Sequence, residues 1–289
     1  MIQEVLNSFK SSHQPKTMSY QGIDWQYYTS GTGAQTILLL PGMLGTSEVL
    51  FPYFAHFSSS YHVIMPIYPN LYTMKELLQG LHILLRKEKA ENVILIGSGF
   101  GGAIAQCYMR KHPKLISHLI LLHSNTMNVH IPESAFHSRI VYLAKMIKFT
   151  DLMPLAYIKS SYKKNFKSIS KSLSKDNLFW KNHLYNLANT YTKPTMNASF
   201  GRLFDFTSNY QLSSTDYENW KGTTLLIEDT CQDSYMSIER DSLHLIYPDA
   251  FIHVEDGLAS MNSLDKYETY IQVIEGFIAD SSALHTVAL

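Results

Sequence analysis

Four glycines fall within six residues, at positions 97, 99, 101 and 102, immediately after a short run of apolar, β-favouring residues. The run is Ile94-Leu95-Ile96, and from Gly101 to Lys111 the sequence has the pattern of a helix that stops before His112-Pro113. Glycine tolerates the backbone conformations of a very tight turn better than any other residue. The stretch therefore predicts a buried strand, a tight turn and a helix in direct succession, and the rest of the chain is organised around it.

Short apolar runs and helical patterns alternate along most of the chain. Met18–Tyr28 alternates loosely before Ser30-Gly31-Thr32-Gly33, which indicates an opening hairpin. Further strands are predicted at 36–40, 61–66, 92–96, 117–122, 223–227 and 250–254, and helices at 72–88, 101–111, 236–246 and 264–278, with a loose tail from Asp280 to Leu289. Strands that alternate with helices are typical of a parallel sheet with right-handed crossovers.

The region between Met127 and Trp220 differs from the rest, because its pattern is helical with no intervening strand. Helices are predicted at 134–149, 152–166, 175–191 and 195–210. We therefore expect an α/β core domain, residues 1–126 and 221–289, and a helical cap, residues 127–220. Eight lysines from Lys145 to Lys175 allow a membrane-facing patch, although the zero net charge of the chain favours a solvated outer face of amphipathic helices.

Composition excludes several classes of function. A chain of 289 residues, 45% of them hydrophobic, can bury a full core. Its 24 basic and 24 acidic residues cancel, so nothing in the overall charge attracts nucleic acid. We find no apolar run that fits a signal peptide or a transmembrane segment, and expect a cytoplasmic protein whose Cys107 and Cys231 are reduced thiols. Its 19 tyrosines and 14 phenylalanines favour an apolar pocket or a surface with exposed aromatic side chains that associates with other molecules.

Several motifs resemble the α/β-hydrolase superfamily over nearly the whole chain. They are Leu38-Leu39-Leu40-Pro41-Gly42, the turn from Gly97 to Gly102, the cap after the sixth core strand, and the order of the last two strands. The resemblance implies an α/β-hydrolase fold, with a mostly parallel sheet flanked by helices. Within the superfamily, the chain is most similar to the maspardin-like group, on the segments 40–46, Asp151-Leu152-Met153-Pro154 and Leu245-Ile246-Tyr247-Pro248.

The resemblance implies positions for a Ser-His-Asp triad, and this chain has other residues there. Gly-x-Ser-x-Gly, laid on residues 97–101, puts Gly99 where the serine nucleophile would stand. The acid would fall at Gln232, with Asp233 one residue late, and the histidine at Ala259. Hydrolysis in this fold needs a hydroxyl nucleophile, a histidine base and an orienting acid. Three substituted positions argue against Ser-His-Asp hydrolysis.

Other polar residues could take over a missing role. Making Ser98 the nucleophile would place Ile96 where glycine permits the turn, so Ser98 is interpreted as a neighbour of the site. His123 follows the strand at 117–122 and could act as an acid or base, although a structural histidine is the better interpretation. His253 lies within the last strand, where we expect an imidazole satisfied at the sheet surface.

Backbone N–H groups can survive the loss of side chains. An oxyanion hole in this fold uses the amides of the residue after the nucleophile and of the first loop, here Phe100 and Met43. Alternatively, these amides only cap a helix or hold water. The expected ligand pocket comprises Gly42, Leu44, Ser98, Gly99, His123, Asp233 and Ala259.

No group of histidines, cysteines and carboxylates has the spacing of a metal site, and no cofactor is expected. The glycine-rich turn also lacks the spacing of a dinucleotide-binding fingerprint.

Three functions are left open by the sequence. The first, which we favour, is an apolar small-molecule pocket under the cap that supports ligand binding or non-hydrolytic chemistry, such as a cyclisation, elimination or isomerisation. The second is a non-catalytic, maspardin-like pseudoenzyme that binds a protein partner. The third is a weak esterase with a displaced nucleophile, Ser98 acting with Asp233 or His123.

Overall fold

The computed structural model describes residues 2–42, 47–128, 130–169, 178–230, 234–255, 264 and 266–287. In this part of the chain, eight strands form one sheet in the order β1-β2-β4-β3-β5-β6-β7-β8. β1 and β2 are antiparallel to their neighbours, and all other pairs are parallel. The strands are β1 (Lys16–Tyr20), β2 (Ile23–Ser30), β3 (Thr36–Leu40), β4 (His62–Ile67), β5 (Val93–Ser98), β6 (Ile116–Leu122), β7 (Thr223–Asp229) and β8 (Phe251–Glu255).

Helices cover both faces of this sheet. They are α1 (Ile2–Ser12), α2 (Phe51–Phe57), α3 (Met74–Lys87), α4 (Phe100–Lys111), α5 (Glu133–Leu152), α6 (Leu155–Ile169), α7 (Leu178–Thr190), α8 (Lys193–Asn209), α9 (Ser234–Ile246) and α10 (Tyr267–Val287). Among the described helices, none combines the length and the apolarity that a bilayer span requires.

The alternation of side chains along each strand divides the core into two layers. Leu38 and Leu40 of β3 pack with the helix layer that includes α3 and α4, whereas Ile37 and Leu39 pack with α1, α2 and α10. Successive strand residues point to opposite faces, so a strand covered on both sides must be apolar throughout. This explains why the predicted strands are continuous apolar runs.

The structure corrects the sequence predictions at both ends of the chain. The region from Asp280 onwards, predicted as a loose tail, continues helix α10 as far as Val287. Its composition suits a helix, since no glycine or proline follows Gly276. Helix α1 was not predicted, although Leu6 and Phe9 lie one turn apart and are both buried.

The four helices α5–α8 lie between β6 and β7 in the sequence and contact the loops that follow the strands. The Arg202 guanidinium on α8 donates hydrogen bonds to the carbonyl oxygens of Pro69 and Leu71, which follow β4. The ring of Phe206 packs edge-on against Phe100, which follows β5, with the ring centroids 5.9 Å apart. These helices therefore pack at the carboxyl edge of the sheet, where ligands bind in open α/β folds.

Candidate functional site

The strand–turn–helix unit predicted from the glycines is present, and Gly99 stands at its apex. β5 ends at Ser98 and α4 begins at Phe100, so the turn consists of Gly99 alone, with φ +55° and ψ −120°. The Gly99 N–H donates to the carbonyl oxygen of Leu122 at 2.9 Å, and the Gly99 carbonyl accepts from the N–H of Asn125 at 3.2 Å. The turn is thus fixed by backbone hydrogen bonds to the end of β6 and the loop after it.

Close packing explains why three positions of the turn are glycine, but it does not explain the glycine at position 99. A Cβ at Gly97 would lie 2.5 Å from the Gly102 Cα, and one at Gly101 would lie 2.0 Å from the Leu40 carbonyl oxygen. A Cβ at Gly102 would lie 1.7 Å from the Ser124 hydroxyl oxygen. A Cβ at Gly99, in contrast, would meet no atom of the described residues within 4 Å. Among the described residues, therefore, only the positive φ opposes a side chain at Gly99.

Two of the predicted ligand contacts lie beside the turn. Phe100 is the first residue of α4, and the first amides of a helix have no partner within the helix. Gly42 lies against the turn, because a Cβ on it would be 3.4 Å from the Ser98 carbonyl oxygen. The Tyr68 hydroxyl donates to the carbonyl oxygen of Pro41 at 3.2 Å and holds the preceding residue. The remaining predicted positions, Met43, Leu44, Gln232, Asp233 and Ala259, lie outside the described residues.

Ser98 occupies the last position of β5 and precedes the apex of the turn. It is paired with Leu122 of β6 in the sheet. Its side chain therefore leaves a strand and not the turn, which supports its interpretation as a neighbour of the site.

His123 follows β6, as predicted, but its side chain is turned toward helix α10. Its Nε2 is hydrogen-bonded with the Tyr270 hydroxyl at 3.0 Å, and its Nδ1 lies 3.9 Å from the Asp229 carboxylate. Its side chain is 9% exposed, and burial lowers the pKa of His123 to about 4, against the opposing influence of the Asp229 and Glu255 carboxylates. The imidazole is therefore neutral near pH 7 and serves to join β6 to α10.

We expect His123 to make stability depend on pH. An exposed histidine has a pKa of about 6.5, so protonation favours the unfolded chain, and stabilisation that is complete above this pH is lost as the pH falls toward 4. Between pH 7.5 and pH 5 the loss due to His123 should be about 2 kcal/mol in the free energy of unfolding. Urea unfolding at the two pH values would show it as a steeper loss in the wild type than in His123→Phe. The matched control is His137→Phe, which changes a histidine exposed on α5 and should keep the wild-type pH dependence. Equal pH dependence in wild type and His123→Phe would contradict the assignment.

The carboxyl end of β7 carries two acidic residues that the sequence analysis did not assign. The predicted strand ended at Ile227, whereas β7 continues through Glu228 and Asp229, which are paired with Val254 and Glu255 of β8. Both side chains are buried. Burial raises the pKa of Glu228, partly offset by the imidazole of His244, whose Nε2 lies 2.9 Å from the carboxylate. The sequence signal for the two acidic residues is the strand-like run 223–227, which continues directly into Glu228 and Asp229.

His253 has the role expected for it. It lies in β8 with its Nε2 hydrogen-bonded to the Glu255 carboxylate at 3.2 Å.

A buried polar network joins the turn to helix α5. The side-chain amide of Asn125, whose backbone N–H holds Gly99, donates to Glu239 of α9 at 2.9 Å. The other oxygen of the Glu239 carboxylate accepts a short hydrogen bond from Arg139 of α5. Arg139 is 8% exposed and Glu239 is 5% exposed, so the ion pair is shielded from water. Nothing in the sequence marks two residues a hundred positions apart as partners, and this network could not be predicted.

The described residues form no metal centre. Among those residues, no three side chains of histidine, cysteine, aspartate or glutamate are grouped so as to hold an ion. Cys107 is a free, buried thiol, and burial raises its pKa to about 12, while Cys231 lies outside the described residues.

Comparison with known proteins identifies the fold. No family model and no curated protein sequence matches the chain. Among solved structures, MenH from S. aureus superposes with a TM-score of 0.73 at 18% identity, over 89% of this chain and 98% of its own. An alpha/beta hydrolase enzyme from a Medee basin deep-sea metagenome library gives a TM-score of 0.70 at 16% identity, over 91% and 97% of the two chains. A carboxylesterase from Bacillus subtilis gives 0.63 at 12% identity, over 96% and 95%.

These likenesses show that the chain has the α/β-hydrolase fold, as the sequence predicted. At such low identities they show the fold alone, since one fold carries many functions.

Proposed function

We propose that this chain is an α/β-hydrolase-fold protein that holds an apolar small molecule above Gly99 and does not hydrolyse it through a serine nucleophile. The observation that carries the proposal is the room left at Gly99, where a Cβ would meet no atom of the described residues within 4 Å. A glycine there leaves the backbone of the turn accessible to a ligand. The neighbouring glycines keep the turn tight, so the geometry of the site is retained without its hydroxyl.

Backbone donors give such a site a way to recognise an oxygen atom. The N–H groups at the start of α4 carry the positive end of the helix dipole, and Phe100 and Met43 are the proposed donors. Preorganised donors and a shaped cavity can assist a cyclisation, an elimination or an isomerisation with no covalent intermediate. Gln232 and Ala259, in place of the acid and the histidine, support a non-hydrolytic reaction or simple binding. No cofactor is part of this proposal.

The surroundings of His123 support the same assignment. Its imidazole is hydrogen-bonded to Tyr270 and packed against α10, so it is not proposed as an acid or base. The weak-esterase alternative loses one of its candidate bases, and its nucleophile Ser98 belongs to a strand.

The proposal predicts that filling the space above Gly99 abolishes ligand binding. The probe is N-phenyl-1-naphthylamine, a neutral apolar dye whose fluorescence rises in an apolar site. Gly99→Leu should weaken its binding at least about tenfold, because four added carbon atoms would occupy the space of the ligand. Fluorescence titration of purified protein measures the effect.

The matched control for this titration is Gly22→Leu. Gly22, in the turn between β1 and β2, also has a positive φ, and a Cβ on it would meet no described atom within 4 Å, so both variants place a leucine at a positive φ. Gly22→Leu should bind the dye as the wild type does. Equal binding by all three proteins, or none by the wild type, would refute the pocket. Hydrolysis of p-nitrophenyl butyrate by the wild type that disappears in Ser98→Ala would establish the esterase instead.

The maspardin-like, partner-binding alternative has one observation in its favour. Large apolar side chains are exposed on α5, α6 and α7, including Tyr142, Leu152 and Tyr157. Exposed apolar surface of this kind indicates an interaction site. The charge of the same helices decides what kind of surface would bind there.

A further inference from the structure

The helices α5, α6 and α7 carry a concentrated positive charge in a chain that is neutral overall. Together these three helices contain seven lysines, one arginine, one glutamate and one aspartate, a net charge of +6, whereas the 24 basic and 24 acidic residues of the whole chain cancel. Asp151, at the end of α5, is engaged by the side-chain amide of Asn197 at 2.5 Å. Charges farther away than about 8 Å are largely screened at physiological salt, so this region acts as a cationic surface despite the neutral total.

The same region exposes most of the large apolar side chains found at the surface. Of thirteen such side chains in the described part of the chain, seven lie on it, with Leu152 68% and Tyr157 59% exposed. The seven are Val141, Tyr142, Leu152, Met153, Tyr157, Leu178 and Tyr185. We call the exposed faces of α5, α6 and α7 that carry them the cap surface.

Cationic and apolar side chains share one side of helix α5. Val141, Lys145, Lys148 and Leu152 are spaced by four, three and four residues, and all four are exposed. This spacing places them in one stripe along the helix. Apolar and cationic side chains that share a stripe are typical of a helix that lies at a membrane interface.

The three helices form one continuous layer. Phe149 of α5 lies 6.2 Å from Tyr157 of α6, measured between ring centroids. Lys159 of α6 donates to the carbonyl oxygen of Asn189 on α7 at 2.6 Å. The Lys163 ammonium also lies 4.6 Å from the centre of the Tyr185 ring. The exposed stripes of α5, α6 and α7 therefore belong to neighbouring helices of one surface.

From these observations we infer that the cap surface docks on a bilayer that contains anionic lipids. Lysines are attracted to anionic headgroups, while tyrosine and leucine side chains enter the boundary between headgroups and acyl chains. The chemistry favours lipid over protein, because the core of a protein interface is depleted in lysine. The contact is peripheral and brings the site under the cap close to a supply of apolar molecules.

Sedimentation with vesicles tests this inference on the full chain. Vesicles of phosphatidylcholine with about 30% phosphatidylglycerol should bind the protein, and vesicles of phosphatidylcholine alone should not. Binding should fall steeply as salt rises from about 0.05 M to about 0.5 M. Absence of binding to the anionic vesicles would overturn the inference, and so would equal binding to both kinds.

Paired variants separate the cap surface from general electrostatics. Lys145→Gln with Lys148→Gln should weaken binding about 10- to 30-fold, since each lysine near an anionic surface contributes about fivefold. Leu152→Ser with Tyr157→Ser should weaken it by about tenfold or more through lost apolar insertion. The control is Lys111→Gln with Lys114→Gln, two exposed lysines at and just beyond the far end of α4, which should bind as the wild type does.

Two further outcomes would overturn the inference that the cap surface docks on a bilayer. Equal loss in the control pair and the cap-surface pair would overturn the inference. Capture of a protein by the cap surface without vesicle binding would overturn it in favour of a protein partner. Gly99→Leu should bind vesicles like the wild type, so the inference and the proposed function can fail independently.

Discussion

Replacing Arg139 by methionine is expected to lower the free energy of unfolding by about 3–5 kcal/mol, because it leaves the Glu239 carboxylate buried without its cation. Glu239 is 5% exposed and, among the described residues, keeps the hydrogen bond from Asn125 in this variant. A methionine fills much of the volume of the arginine side chain, so a cavity contributes little to the loss. The expected cost is therefore chiefly electrostatic.

Chemical denaturation of three variants tests this expectation. Adding Glu239→Gln to Arg139→Met removes the uncompensated charge and should restore a large part of the lost stability. Lys10→Met is the control, since it breaks the pair between Lys10 and Glu48, whose side chains are 51% and 31% exposed, and should cost less than about 1 kcal/mol. A similarly small loss in Arg139→Met, or strictly additive losses in the double variant, would show that the buried pair is not coupled.

Alanine at Gly101 is expected to be still more damaging than the loss of Arg139. The added Cβ would lie 2.0 Å from the carbonyl oxygen of Leu40 and 2.7 Å from that of Pro41, both of them backbone atoms. Because β3 and α4 would have to separate, we expect the free energy of unfolding to fall by more than about 4 kcal/mol. Losses of this size are typical of severe disruption of a protein core.

Alanine substitutions at two other glycines provide the comparison for Gly101→Ala. Gly99→Ala has space for its Cβ among the described residues and is opposed there by the positive φ, so it should cost about 1–3 kcal/mol. Gly276→Ala, in helix α10 with free space around it, should stabilise the protein by about 0.5–1 kcal/mol. Unfolding curves would give the order of the three variants, and resistance to proteolysis would serve if Gly101→Ala is too unstable to purify. A loss at Gly101 no larger than that at Gly99 would contradict the packing argument.

The sheet could be predicted because buried parallel strands leave a direct trace in the sequence. Apolar runs such as Leu38-Leu39-Leu40 mark strands covered on both faces, and the glycines after Ile96 mark the tight turn. Strand ends were less accurate, since Ser98, Glu228 and Asp229 are polar residues that still pair within the sheet. The backbone of a polar residue can make the same hydrogen bonds to a neighbouring strand as the backbone of an apolar residue. Side-chain polarity therefore does not mark where a strand ends.

The candidate site could be predicted only where the backbone determines it. Gly99 and Phe100 are located by local sequence, because a single turn fixes both. The orientation of His123 depends on its positive φ of +45° and on Tyr270, which lies 147 residues later in the chain. The partnership of Arg139 with Glu239 likewise depends on how α5 meets α9. Such contacts follow from the tertiary arrangement and leave no signature at either residue.

The charge on α5, α6 and α7 has a further consequence for the protein in solution. A neutral molecule with a net charge of +6 on these helices carries an equal negative charge elsewhere, so its charge is unevenly distributed. At low ionic strength, opposite poles of neighbouring molecules attract one another, and salt ions weaken that attraction. Moderate salt should therefore raise the solubility of the protein near its pI of about 7.2. At that pH the molecule has no net charge to oppose self-association.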